Sequence, residues 1–98
     1  MTGYLISKKA LADLRYIWNY TFDTWSEDQA DVYYKHLIQA FEYIAHSPET
    51  SGHSYENVKK GILGCHTGSH VVFYRIMKNG RVRIVRVLHE RMDFKRHL

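Results

Sequence analysis

Apolar residues recur along the first half of the chain with a helical period. Leu11, Leu14, Trp18, Phe22 and Trp25 are spaced by 3, 4, 4 and 3, which lines one face of a helix. Ser7 stands just ahead as an N-cap, because its hydroxyl can accept from a backbone N–H that the first turn leaves unpaired. The pattern predicts a helix over about 8–24. Ala30, Tyr33, Leu37, Phe41 and Ile44 repeat the 3, 4, 4, 3 spacing and predict a second helix over about 27–46. Ser26-Glu27-Asp28-Gln29 has the form of a capping box, and its two acids suit the positive end of the helix dipole. Ser47-Pro48 closes the helix, since a residue before proline avoids helical backbone angles. Two amphipathic helices with almost no linker make an antiparallel hairpin.

The second half changes to a strand-like period. Tyr4-Leu5-Ile6 is a short opening strand. Residues 48–60 read as a polar surface loop. Ile62 to His66 is a weak strand interrupted by Gly64, and Thr67-Gly68 marks a turn. Ser69 to Met77 is rich in β-branched and aromatic residues and is a strand, as is Arg81 to His89. Between them, Asn79-Gly80 signals a two-residue type I′ hairpin. Residues 90–98 form a tail that can turn through a short helix. The order is β-α-α-β-β-β. It predicts an α+β fold in which the N-terminal helical hairpin packs on a mainly antiparallel sheet, as one domain spanning 1–98.

A two-residue loop fixes the hairpin register. His70 then faces His89, Val72 faces Val87, Tyr74 faces Val85 and Ile76 faces Arg83 on one side of the sheet. Val71/Leu88, Phe73/Arg86, Arg75/Ile84 and Met77/Val82 share the other. The first side is apolar over its middle and should lie under the helices. On the second, Arg75 and Arg86 sit among apolar residues, where guanidinium groups are seldom buried without partners. A partly open, basic second face is expected. The alternative is that both arginines pair with Glu90, Asp93 or carbonyls of the tail.

Charge sharpens this picture. Residues 1–58 hold four Lys/Arg against eight Asp/Glu, and residues 59–98 hold ten against two. The net +4 of the 98-residue chain therefore sits in its C-terminal part, which points to an anionic partner or a solvated basic sheet. The apolar content of 45% is that of a globular protein and excludes a disordered tail. The one cysteine, Cys65, excludes an internal disulfide and fits a reducing compartment. No secretory signal or membrane-length apolar run is present, so a cytoplasmic protein is expected.

Candidate chemistry is sparse. Cys65, His66 and His70 straddle a turn without the paired spacing of a zinc site, so no metal and no cofactor are expected. His89-Glu90-Arg91-Met92-Asp93 is a denser cluster at a strand end. It suits either a salt-bridged terminus or acid–base work on RNA, with arginines stabilising phosphate charge. Tyr16 and Tyr20 lie one turn apart and off the main stripe of the first helix, and Tyr34 and Ile38 do the same on the second. Accessible tyrosines of this kind mark protein interfaces; the alternative, favoured for Tyr34 and Ile38, is that these side chains widen the core face.

Four stretches together resemble the ParE-type toxins of the RelE/ParE toxin–antitoxin superfamily. They are Ala10 to Ile17, Trp25-Ser26-Glu27-Asp28-Gln29-Ala30, Gly68 to Arg75, and Arg86-Val87-Leu88-His89-Glu90-Arg91-Met92-Asp93. The last two are the most specific. Ser26 stands where the family junction usually has glycine. The resemblance implies a type II toxin that inhibits DNA gyrase without chemistry of its own and arrests growth. It also implies neutralisation by a ParD-like antitoxin. Contact with DNA is then expected only through antitoxin or gyrase. On this reading Arg75, Arg86, His89, Glu90, Arg91 and Asp93 are target-binding candidates. Tyr16, Tyr20, Tyr34 and Ile38 are antitoxin-binding candidates, and no residue is catalytic. The alternatives are a RelE-like ribosome-dependent mRNA endoribonuclease, whose relatives often use a tyrosine near the C-terminus, and an inactive relic. This chain has no tyrosine after Tyr74.

Overall fold

The computed structural model describes residues 3–98; Met1 and Thr2, the head of the expected domain, lie outside the described residues. The elements run β1 (Tyr4–Ile6), α1 (Lys8–Thr24), α2 (Glu27–His46), β2 (His53–Ser54), β3 (Leu63–Thr67), β4 (His70–Ile76), β5 (Val82–His89) and α3 (Phe94–His97). Both expected caps form. The Ser7 hydroxyl accepts from the Ala10 N–H at 3.0 Å and the Ser26 hydroxyl from the Gln29 N–H at 3.1 Å. The strands make one sheet in the order β1-β5-β4-β3-β2, antiparallel throughout except for the parallel β1–β5 pair. No helix among the described residues is long and apolar enough to cross a membrane.

The helical hairpin covers one face of the sheet, where Leu14, Ile17, Leu37, Phe41 and Ile44 pack on Val72, Tyr74, Val82, Ile84 and Val87. The α2 stripe is the one the sequence marks. That of α1 is rotated. Ala10, Leu14 and Ile17 are buried, whereas Leu11, Phe22 and Trp25 stay exposed. The larger side chains lost this competition because α1 lies close to β5, where alanine allows near approach.

The hairpin differs from the expected type I′ turn. Asn79 does not adopt positive φ; among the described residues only glycines do, with Gly80 at +85°. The Gly80 N–H donates to the Met77 carbonyl at 2.9 Å and the Met77 N–H to that of Arg81 at 2.7 Å. The loop therefore has three residues, 78–80, with glycine in the left-handed position. The expected register holds from His70/His89 to Phe73/Arg86. A bulge beyond Phe73 then shifts it by one, so Tyr74 faces Ile84, Arg75 faces Arg83 and Ile76 faces Val82. The shift turns Val82 and Ile84 towards the helices and completes the core. Ser7 sits at the bulge, donating from its N–H to the Ile84 carbonyl at 2.9 Å and from its hydroxyl to the Val85 carbonyl at 2.7 Å.

The second face is covered rather than open. Ile62, Val71, Phe73 and Leu88 are buried there beneath Tyr55, Phe94 and Leu98. Phe73 meets the rings of Phe94 and Tyr55 edge-on at 4.9 and 5.1 Å. The expected loop contains strand β2, which lays Tyr55 over β3. Gly64 serves that approach, since a Cβ there would lie 2.5 Å from the Tyr55 ring.

Arg86 joins the two layers. Its guanidinium donates to both oxygens of Asp13 on α1, each at 2.8 Å, and to the His97 carbonyl at 2.9 Å. Asp13 also accepts from the Val87 N–H at 2.9 Å, a strand-edge donor beyond the end of β1. The pair is 16% and 13% exposed, so removing one partner strands a desolvated charge. Asp13→Ala is expected to cost about 2–4 kcal/mol in urea unfolding, and Asp13→Ala with Arg86→Met clearly less than Arg86→Ala alone with Asp13 left unpaired.

Candidate functional site

A cavity of about 1100 Å³ opens between the helical hairpin and one end of the sheet. Its walls are aromatic because of helical spacing. Tyr16 and Tyr20 lie one turn apart on α1 with rings stacked 6.4 Å apart. Trp25 follows at the α1 C-cap. Tyr16 and Trp25 are each 70% exposed and Tyr20 is 58% exposed. Val32, Tyr33 and His36 of α2 form the facing wall. The floor comes from the sheet end, where His70 and His89 stand opposite each other with rings 5.3 Å apart. A turn after β5, in which the Met92 N–H donates to the His89 carbonyl at 3.0 Å, brings Arg91 and Met92 to the rim.

Hydrogen bonds fix the floor. The Tyr33 hydroxyl accepts from the Ser69 N–H at 3.0 Å and lies 2.6 Å from His70 Nδ1. Burial, with the neighbouring His89 second, pushes His70 down to about 4, so at neutral pH the ring is uncharged and pairs with the Tyr33 hydroxyl, whose O–H also reaches the Thr67 carbonyl at 3.4 Å. Burial raises the pKa of Tyr33, which keeps that proton in place. His89 Nδ1 accepts from the Arg91 N–H at 3.2 Å. The floor is therefore uncharged at His70, and an apolar partner can be seated without burying a cation there.

The sequence-marked residues divide among several places. Tyr16, Tyr20, His89 and Arg91 meet in the groove. Tyr34 is exposed elsewhere on α2, and Ile38 packs partly buried against the core. Glu90 points out of the groove to His66, with Oε1 and Nε2 2.8 Å apart and both side chains well exposed. Asp93 is exposed at the start of α3, where its side chain makes no cap bond. Arg75 donates to the Lys60 carbonyl at 2.8 Å. Arg86 is in the Asp13 pair, not on an open face. Cys65 is buried with its thiol pushed up by burial, and with His66 on Glu90 and His70 on Tyr33 the three do not converge.

Sequence reading did not assign Trp25, Val32, Tyr33, His36, His70 and Met92 to the groove. Trp25 and Tyr33 fit the core stripes of their helices. Gln29, Val32, Tyr33 and His36 share one side of α2 at helical spacing, but period alone does not separate a groove wall from a core edge.

Three comparisons place this geometry among known proteins. Residues 4–94 match the family model described as ParE toxin of type II toxin-antitoxin system, parDE. Toxin ParE1 of Mycobacterium tuberculosis is 40% identical over 95 residues, covering 97% of this chain and 96% of that protein. Toxin ParE1 of Caulobacter vibrioides is 43% identical over 98 residues, covering 100% and 99%. A chain in the solved chromosomal ParDE TA system from P. aeruginosa superposes with a TM-score of 0.77 at 15% identity, over 91% of this chain and 96% of that one, which shows the shared fold.

The depressed His70 pKa sets a pH dependence. Between about pH 6.5 and about 4 the unfolded chain binds a proton that the folded chain refuses. Stability is thus fully present above that window and falls as pH drops through it, by about 1–2 kcal/mol after solvent screening. His70→Gln is expected to remove this part of the acid-induced loss in urea titrations run at stepped pH.

Proposed function

We propose, from the premise that the chain belongs to the ParE toxin family of type II toxin–antitoxin systems, that it arrests growth by inhibiting DNA gyrase in the cytoplasm. On this reading it acts by binding rather than by chemistry, and a ParD-like antitoxin neutralises it. The full-length match to the two ParE1 toxins carries the reading.

The groove supports the antitoxin half of it. Aromatic walls, an uncharged His70 and a polar rim with Asp28, Gln29 and Arg91 suit the apolar face of an amphipathic helix. Tyr16, Tyr20 and Trp25 offer large rigid anchors. The target-binding candidates His89, Glu90, Arg91 and Asp93 follow one another at the β5 end, beside the groove. A segment lying in the groove would cover His89 and Arg91, which gives neutralisation a steric basis.

Gyrase with relaxed plasmid and ATP, incubated with the purified chain, is expected to lose supercoiling activity or accumulate linear DNA, with reversal by the cognate antitoxin. Unaffected gyrase with a folded chain would contradict the reading; cleavage of ribosome-bound mRNA would then place the chain with the RelE-like nucleases, and the absence of both effects would make it a relic. Tyr16→Ala with Tyr20→Ala is expected to weaken antitoxin binding by about 2–4 kcal/mol, roughly 30- to 1,000-fold in Kd by calorimetry, without loss of fold. Unchanged affinity would place the interface elsewhere.

A further inference from the structure

We propose that the sheet face opposite the helical hairpin binds the phosphate backbone of duplex DNA directly. The inference goes beyond gyrase inhibition and does not require it. Its basis is the shifted register. The bulge places Arg75 of β4 directly opposite Arg83 of β5, on the side away from the helical core. The Arg75 guanidinium reaches the Lys60 carbonyl at 2.8 Å, so a row of cations runs from Arg83 through Arg75 to the β2–β3 loop that carries Lys59 and Lys60, where the Lys59 ammonium donates to the Leu98 carbonyl at 2.6 Å. Neighbouring strands are about 4.8 Å apart, which brings these charges close together. Arg83, Lys59 and Lys60 are exposed and Arg75 is half-buried.

Like charges directly opposite in a sheet work against folding; the Lys60 carbonyl offsets this in part at Arg75, whereas the Arg83 side chain has no hydrogen-bond or ion-pair partner among the described residues. Among the described residues the ion pairs are His66–Glu90 and Arg86–Asp13, neither of which involves the row. The nearest carboxylate along the chain, Glu56, sits at one end and accepts from the Gly61 N–H at 2.9 Å. The helix α3, whose Phe94 seats it on the same face, adds Lys95 and Arg96, both exposed. Arginine forks suit phosphate oxygens.

The apolar residues of the face decide between nucleic acid and an acidic protein segment. Val71, Phe73 and Leu88 are buried beneath Phe94 and Leu98, and Leu5, opposite Arg83, is the large apolar side chain well exposed on this face among the described residues, so the face presents charge with few accessible apolar anchors. A peptide draws its affinity from such anchors, and here they line the groove instead. A phosphate backbone needs only positioned cations.

The test uses the full chain without gyrase, so its outcome is independent of the gyrase reading. Binding to a short fluorescein-labelled duplex of mixed sequence is followed by anisotropy across a salt series. Wild-type chain is expected to bind at low salt, with log Kd rising steeply with log salt. Arg75→Gln with Arg83→Gln is expected to reduce that slope by about 1.8 and to weaken low-salt binding roughly tenfold or more, and Arg83→Gln alone to reduce the slope by about 0.9. The urea midpoint of Arg83→Gln should be unchanged or slightly higher. Absence of wild-type binding at low salt, or an unaltered slope in the double variant, overturns the proposal. So does tighter binding to polyglutamate than to the duplex at equal charge and salt, which would assign the face to an acidic protein partner.

Discussion

The Asp13 carboxylate holds the layers of this molecule together. It sits on α1 yet bonds three donors of β5: two from the Arg86 guanidinium and the Val87 N–H. Arg86 in turn reaches the His97 carbonyl in the C-terminal helix. One largely buried ion pair therefore links the helical hairpin, strand β5 and the cover on the far face. Such a pair gains little over a well-packed apolar substitute, but it strongly penalises any arrangement that separates its members. Here it seals the strand edge where β1 ends, just short of the His89–Met92 turn that bounds the groove.

This arrangement gives the sheet two unlike sides. On the hairpin side, aromatic residues stay exposed around a floor kept neutral at His70, an environment suited to an apolar helix. On the other side, the aromatic cluster of Tyr55, Phe73 and Phe94 is closed, and cations are what the surface presents. The proposed antitoxin groove and the proposed phosphate-binding face thus do not overlap, and Arg86 supports both without belonging to either surface.

Much of the fold was legible in the sequence. Helical periods, two serine caps and Ser47-Pro48 place α1 and α2, and the β-branched runs place β4 and β5. The two-fold alternation along β4 correctly puts Val72 and Tyr74 under the helices. What escaped depends on tertiary contacts. The bulge at Val85 comes with Ser7 bonding β5 from another element, and no local signal in β5 announces it. The rotation of α1 reflects a preference for close approach at Ala10 over burial of Trp25. Arg86 looked like a surface cation because its partner lies 73 residues away. In the groove, tyrosines one turn apart were readable as interface residues, whereas Tyr33 and Trp25 were hidden within stripes that also fit a core.

The central claim is that the aromatic groove, and not the basic face, receives the antitoxin. Amide chemical-shift mapping of the isotope-labelled chain, titrated with the antitoxin segment that neutralises it, tests this most directly. Perturbations are expected to concentrate at Tyr16–Trp25, Val32–His36 and His89–Met92, with Arg75, Arg83 and α3 little changed. Perturbations centred on Arg75, Arg83 and α3, with the groove silent, would contradict it.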